Sequence, residues 1–250
     1  MTDAWPYPRI FAHRGGGTLA PENTLAAFRL GQSLGYRAHE FDVKLSKDNV
    51  AVLLHDATLE RTTNGTGRAA DFDYAQLAKL DAGGWHSAPF AGEPVPTLAS
   101  VAQLLRSRHT MANVEIKPTP GFERETGERV AAEAARLWQG AAIPPLLSSF
   151  SFEALMAARE AAPGLPLGWL SRKIADEDWP RLEQLGAVSI HTNHTRLDPP
   201  DVLRLKSAGY RVMVYTVNEA ETAQRLFDLG VDGLFTDNLR EFAAKFPALI

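Results

Sequence analysis

The sequence predicts an α/β fold, a single (β/α)8 TIM barrel with a small inserted subdomain after the second strand. Three observations predict it. From Leu98 onward, apolar runs of strand length alternate with helical segments of about ten residues, a rhythm that implies parallel pairing through helical crossovers. Eight such strands fit in 250 residues if one antiparallel return arm is set aside. Polar residues also stand at the end of nearly every strand, where barrels of this kind carry their chemistry. An open doubly wound sheet is the alternative, but HRGGGT after the first strand lacks the G-x-G-x-x-G turn of that fold.

Arg9 to His13 forms the first strand, and Gly15, Gly16 and Gly17 end it. Asn23 reads as the cap of a helix in which Leu25, Phe28 and Leu30 recur with helical spacing, and Gly35 closes that helix. Tyr36 to Asp56 holds the second strand, a turn at Lys47-Asp48-Asn49 and a returning arm, Val50 to Leu54. Residues 57–97 are too long for an ordinary connection. They contain ERTTNGTG, a helical piece near Tyr74 to Leu80 and a Gly/Pro-rich tail, and are expected to form the inserted subdomain or a lid.

The regular part then alternates. Helices are expected at 98–107, 123–139, 151–161, 176–185, 200–207, 219–229 and 240–246. Strands are expected at 111–117, 145–149, 165–170, 188–191, 211–217 and 231–236. Neither a flexible linker nor a repeat beyond the βα alternation divides the chain, so residues 1–250 read as one domain with an insertion at about 57–97.

Composition narrows the partners. A net charge of −4 gives no reason to expect nucleic acid or an anionic membrane. The absence of cysteine removes thiol nucleophiles and thiolate metal sites. No stretch approaches the ~20 apolar residues of a membrane span. MTDAWPYPRIF lacks the pattern of a signal peptide, so a cytoplasmic protein acting on a small molecule is the expectation.

The chemistry centres on Tyr36 to Asp56. Glu40 and Asp42 flank Phe41, so in a strand both carboxylates project to one face, roughly 7 Å apart along the chain. Glu115 and Lys117 repeat that geometry around Ile116. A buried cluster of Glu40, Asp42 and Glu115 would repel itself. One divalent cation resolves this, and oxygen-only ligation favours Mg²⁺ or Ca²⁺. Spacing alone leaves a salt-bridge lattice of these acids with Arg37, Lys44 and Lys117 equally open. His13 ends the first strand and His55 the returning arm; an imidazole pair beside an acid cluster suits general acid and base work near neutral pH. Arg14 and Lys117 add positive charge suited to a phosphoryl group. His39 alternates away from Glu40 and reads as packing or surface, and ERTTNGTG reads as turn structure. Ser148 and Ser149 lack the G-x-S-x-G elbow of a nucleophile.

HRGGG, APENTLAAF, EFDVKLSKD, LLHD, LERTTNGTG, EIKP, LLSSF and YTVN occur in this order. In them the chain resembles the glycerophosphodiester phosphodiesterases, from about Ile10 to Asp237, and most of all the cytoplasmic bacterial form associated with glycerol-3-phosphate uptake. The resemblance implies catalytic histidines at His13 and His55, metal-binding acids at Glu40, Asp42 and Glu115, and phosphate contacts from Arg14 and Lys117. Phe41 stands where the family often has leucine, and Tyr215 where it often has tryptophan; Tyr215 is expected to line the glycerol pocket. The implied reaction is metal-dependent hydrolysis of glycerophosphodiesters, such as glycerophosphocholine or glycerophosphoethanolamine, to sn-glycerol 3-phosphate and an alcohol. In it the glycerol 2-hydroxyl attacks phosphorus, with His13 read as the base. A barrel glycosidase using Glu40 and Glu115 and a non-catalytic diester-binding protein are the rivals.

Overall fold

The computed structural model describes residues 5–250. Its strands are β1 (Ile10–Ala12), β2 (Ala38–Leu45), β3 (Ala51–Leu53), β4 (Met111–Ile116), β5 (Leu146–Ser149), β6 (Leu167–Ser171), β7 (Ser189–Asn193), β8 (Arg211–Tyr215) and β9 (Gly233–Thr236). The order is β1-β9-β8-β7-β6-β5-β4-β2-β3, and a further β1–β2 pairing closes the sheet into a barrel. All these pairings are parallel except β2–β3, so β3 is the return arm laid outside the closed ring. The (β/α)8 barrel expected from the sequence is therefore the fold.

The helices are α1 (Leu25–Ser33), α2 (Tyr74–Leu77), α3 (Leu98–Ser107), α4 (Glu123–Leu137), α5 (Phe152–Ala161), α6 (Asp178–Leu185), α7 (Pro199–Ser207), α8 (Ala220–Asp228) and α9 (Leu239–Lys245). Local chemistry starts them: Thr97 Oγ1 accepts from Ser100 N–H, and Ser151 Oγ accepts from Ala154 N–H. Among the described residues, no helix is long and apolar enough to cross a membrane.

The period-two alternation of each strand divides the apolar residues between two cores. Ile10, Ala12, Phe41, Val43, Val114, Leu147, Ile190, Val214 and Leu234 join helix residues such as Phe28, Val101 and Leu155 in the outer core. Phe41 thus faces away from the site. Phe11, Ala38, Leu146, Met213 and Phe235 pack together inside the barrel, where Tyr7 joins them. Tyr7 donates its hydroxyl to Pro144 O at 2.9 Å. The insertion carries an apolar cluster of its own, in which Leu59, Ala69, Leu77, Ala82 and Val95 cover Val52 and Leu54.

Candidate active site

The C-terminal ends of the strands surround a cavity of about 620 Å³, and His13, Arg14, Glu40, His55, Glu115, Lys117 and Tyr215 all line it. Register accounts for the acids. Asp42 is paired with Glu115 across β2 and β4, and Glu40 sits one layer deeper opposite Asn113. The carboxylate oxygens of Glu40, Asp42 and Glu115 lie within 4.8 Å of one another, and all three residues are buried.

Two cations partly compensate them. Lys117 Nζ donates to Glu115 Oε1 at 3.1 Å and lies 3.6 Å from Asp42 Oδ1. Arg14 Nε is 3.5 Å from Asp42 Oδ2, and Arg14 N–H donates to Glu40 Oε2 at 3.1 Å. Burial pushes Asp42 up, but Lys117 and Arg14 outweigh it and hold this carboxyl low. Burial and the Asp42 charge raise Glu40, as they do Glu115. Without a cation Glu40 and Glu115 are thus drawn toward their protonated forms, on hard oxygen donors that converge from neighbouring strands. The residues fit a divalent cation, and the donor set suits Mg²⁺ or Ca²⁺.

The salt-bridge lattice considered above forms only at Lys117. Arg37 Nε donates instead to Ile250 O at 2.7 Å, away from the acids. Lys44 is buried, and its Nζ donates to the His55 carbonyl at 3.2 Å.

Each histidine is held by a carboxylate at Nδ1. His13 Nδ1 lies 2.7 Å from Asp237 Oδ1 and His55 Nδ1 lies 2.6 Å from Asp56 Oδ1. An ionised carboxylate only accepts, so both Nδ1 atoms carry the hydrogen and Nε2 is the end left for the site. His13 Nε2 is 3.7 Å from Glu40 Oε2, whereas His55 Nε2 accepts from Lys117 Nζ at 2.9 Å. Burial lowers the pKa of both rings, but the Asp237 bond and the Glu40 charge turn His13 upward. For His55 burial prevails.

The loop after β1 is strained into place. Arg14 and Asn23 have positive φ values of 48° and 60°. Gly17 also has positive φ, and a Cβ there would stand 2.2 Å from Asp237 O, so only glycine lets this loop approach the end of β9. Asn23 is not the helix cap expected from the sequence. Thr24 caps α1 by accepting from Ala27 N–H, while Asn23 turns inward. It donates from Nδ2 to Asp42 Oδ2 at 2.9 Å and accepts Asp42 N–H at 3.1 Å.

Four further residues escaped the sequence reading although each lies in a quoted motif. Glu22, beside Asn23 in APENT, accepts from Arg14 at 2.9 Å. Asp56 ends LLHD, and Arg61 lies in ERTTNGTG, read above as turn structure alone. Asn218, the last residue of YTVN, accepts Asp237 N–H at 2.8 Å. His39 packs against Phe28 with ring centroids 5.5 Å apart, as expected. The Ser148 hydroxyl accepts from Asn113 and the Ser149 hydroxyl donates to Ile116 O. Tyr215 donates to Ser171 O at 3.2 Å on the cavity wall.

Comparisons with known proteins agree with this geometry. The model of the glycerophosphoryl diester phosphodiesterase family matches residues 13–241. A glycerophosphodiester phosphodiesterase of Caldanaerobacter subterraneus subsp. tengcongensis is 35% identical, over 92% of this chain and 93% of its own length. One from Bacillus subtilis is 30% identical, over 90% of this chain and 82% of its own. The solved structure of an Oleispira antarctica phosphodiesterase in complex with the product sn-glycerol-3-phosphate has a TM-score of 0.90 and 33% identity, covering 97% of this chain and 98% of that one. A parallel barrel with two carboxylate-held histidines over an acidic triad, matched along nearly its whole length, belongs to the glycerophosphoryl diester phosphodiesterase family.

Proposed function

We propose that the chain is a cytoplasmic, divalent-metal-dependent hydrolase that cleaves glycerophosphodiesters such as glycerophosphocholine to sn-glycerol 3-phosphate and the free alcohol, with barrel and insertion working as one unit. The observation that carries the reading is the joint placement of His13, His55, Lys117, Glu40 and Glu115 around one cavity, with Asp42 buried against the two glutamates. A cation held by Glu40, Asp42 and Glu115 would act as a Lewis acid on a phosphoryl oxygen and acidify the attacking hydroxyl.

His55 is the base in this reading. Its Nε2 carries the lone pair, which accepts a hydrogen bond from Lys117 and is the one that takes the proton, and Asp56 stabilises the imidazolium that results. His13 is the acid and protonates the departing alcohol oxygen from Nε2 as the P–O bond breaks. These contacts favour the reverse of the order read from sequence. If the attacking group is the glycerol 2-hydroxyl, water opens the cyclic phosphate in a second step with the two roles exchanged. Lys117 and Arg14 balance charge that develops on the phosphoryl oxygens. Tyr215, on the wall of the cavity, bounds the glycerol.

Release of glycerol 3-phosphate from glycerophosphocholine is the test. Turnover with Mg²⁺ or Ca²⁺ that stops in EDTA supports the reading. Metal-independent turnover, or tight binding of the diester with no product, would sink it. A 2-deoxy substrate hydrolysed at full rate would remove the cyclic route.

A further inference from the structure

Arg61 stands where the insertion meets the barrel. Its guanidinium makes two forked contacts at once. Nε and Nη2 donate to Asp56 Oδ2 and Oδ1, at 2.6 and 3.2 Å. Nη1 and Nη2 donate to Glu22 Oε2 and Oε1, both at 2.8 Å. Each acceptor leads on to the site: Asp56 holds His55 Nδ1, and Glu22 holds Arg14 Nη1. Arg61 itself does not line the cavity. Its side chain is 44% exposed, and ion pairs so placed contribute little to stability.

We propose that Arg61 is a positioning residue, brought by the insertion to lock the histidine-holding Asp56 and the arginine-holding Glu22 in one frame. The proposal rests on the phosphodiesterase reading for its consequence in turnover, and on the contacts alone for its consequence at His55. A guanidinium can make a two-pronged contact with each of two carboxylates at once, whereas an ammonium reaches each through a single N–H. The fork fixes the distance between the β1–α1 loop and the end of the return arm, and so the spacing of Arg14 from the His55 ring. It also draws charge from Asp56, whose carboxyl lies well below its ordinary range chiefly because of its hydrogen bonds to Arg61. The insertion then has a task in the reaction: it supplies the residue that braces two site groups from behind.

Arg61→Ala and Arg61→Lys test this in the intact chain. Thermal unfolding should change little, since the guanidinium itself is exposed. With glycerophosphocholine and Mg²⁺, Arg61→Ala should lower kcat about 10- to 100-fold, the usual effect of losing an outer partner of a site residue, with KM little changed. Imidazole NMR should show the His55 titration midpoint moved upward, because Asp56 without its guanidinium favours the charged ring more strongly. Arg61→Lys should recover only part of kcat. An unmoved His55 titration in Arg61→Ala, or full recovery in Arg61→Lys, would overturn the proposal. If Arg61→Ala fails to fold, the lysine variant decides alone, because full activity there removes the need for a fork. A wild-type chain that releases no glycerol 3-phosphate would defeat the phosphodiesterase reading, and the NMR comparison would still decide the role of Arg61 at His55.

Discussion

Asp42 and Glu115 face each other in the register of β2 and β4, and the ammonium of Lys117 reaches both, 3.6 Å from one and 3.1 Å from the other. Glu40, one layer below, has the neutral Asn113 as its register partner. The site therefore gathers three acids but places its lysine at only two of them. That asymmetry makes Glu40 the group for which a bound cation matters most.

Glu40→Gln should raise the melting temperature of the metal-free protein, because burial and the Asp42 charge disfavour ionised Glu40, which must take up a proton on folding, whereas glutamine need not. The same change should abolish the further rise that Mg²⁺ or Ca²⁺ gives the wild type by binding the folded state. Activity should fall by about 10²- to 10³-fold, as when one preorganised electrostatic group is lost. Thermal unfolding with and without the ion checks this, and an undiminished ion-induced rise in the variant would count against the site.

His13→Ala and His55→Ala should each lower kcat by about 10²- to 10⁴-fold. A base must be neutral and works above its pKa; an acid must be protonated and works below its own. Burial draws His55 down and the Asp237 and Glu40 contacts draw His13 up, so the pH profile should be a bell with a plateau around neutrality. Residual activity in His55→Ala should lack the acid limb, and in His13→Ala the alkaline limb. The opposite pattern in kcat/KM would exchange the two roles.

Asn23→Ala should destabilise the fold by about 2 to 4 kcal/mol, since two buried hydrogen bonds disappear, one to the Asp42 carboxylate and one from its backbone N–H, and alanine is strained at positive φ. Asn23→Gly loses the bonds but keeps the backbone freedom, so urea unfolding should show a smaller loss. Equal losses in both variants would show that backbone strain contributes nothing there.

Burial lowers His191 from an ordinary pKa of 6.5 to about 3. The ring is buried in the barrel wall, with Nε2 2.9 Å from Ser189 Oγ and no partner for Nδ1 among the described residues. A folded-state pKa below the unfolded value means that the unfolded chain binds the proton first as pH falls. The stability the neutral ring allows is complete above about pH 6.5 and is lost toward pH 3, at about 1.4 kcal/mol per pH unit. His191→Gln should flatten that acid limb by about this slope in urea unfolding between roughly pH 6 and 4. An unchanged slope would place the proton uptake elsewhere.

Local patterns made the barrel and half of the site legible. Apolar alternation marked the strands, and Glu40-Phe41-Asp42 and Glu115-Ile116-Lys117 declared their shared faces through a period of two. Asn23 was misread because its type and place before Leu25 suit a cap, while its actual partner, Asp42, lies 19 residues away. Spacing alone left a lattice of the acids with Arg37 and Lys44 open, yet one reaches Ile250 and the other the His55 carbonyl. Arg61 was hidden in a turn-rich motif because a guanidinium fork has no periodic signature.

By itself the amino-acid order determined the alternating elements, the pairs of groups that share a strand face, and the family whose motifs the chain carries. Barrel closure decided the rest: that His13 meets Asp237 across 224 residues, that Glu115 joins Glu40 and Asp42, and that Arg61 bridges Asp56 to Glu22. The physical reason is range. Periodicity and propensity act over one or two turns of chain, whereas a carboxylate held at an imidazole depends on which strand ends the closed sheet brings together.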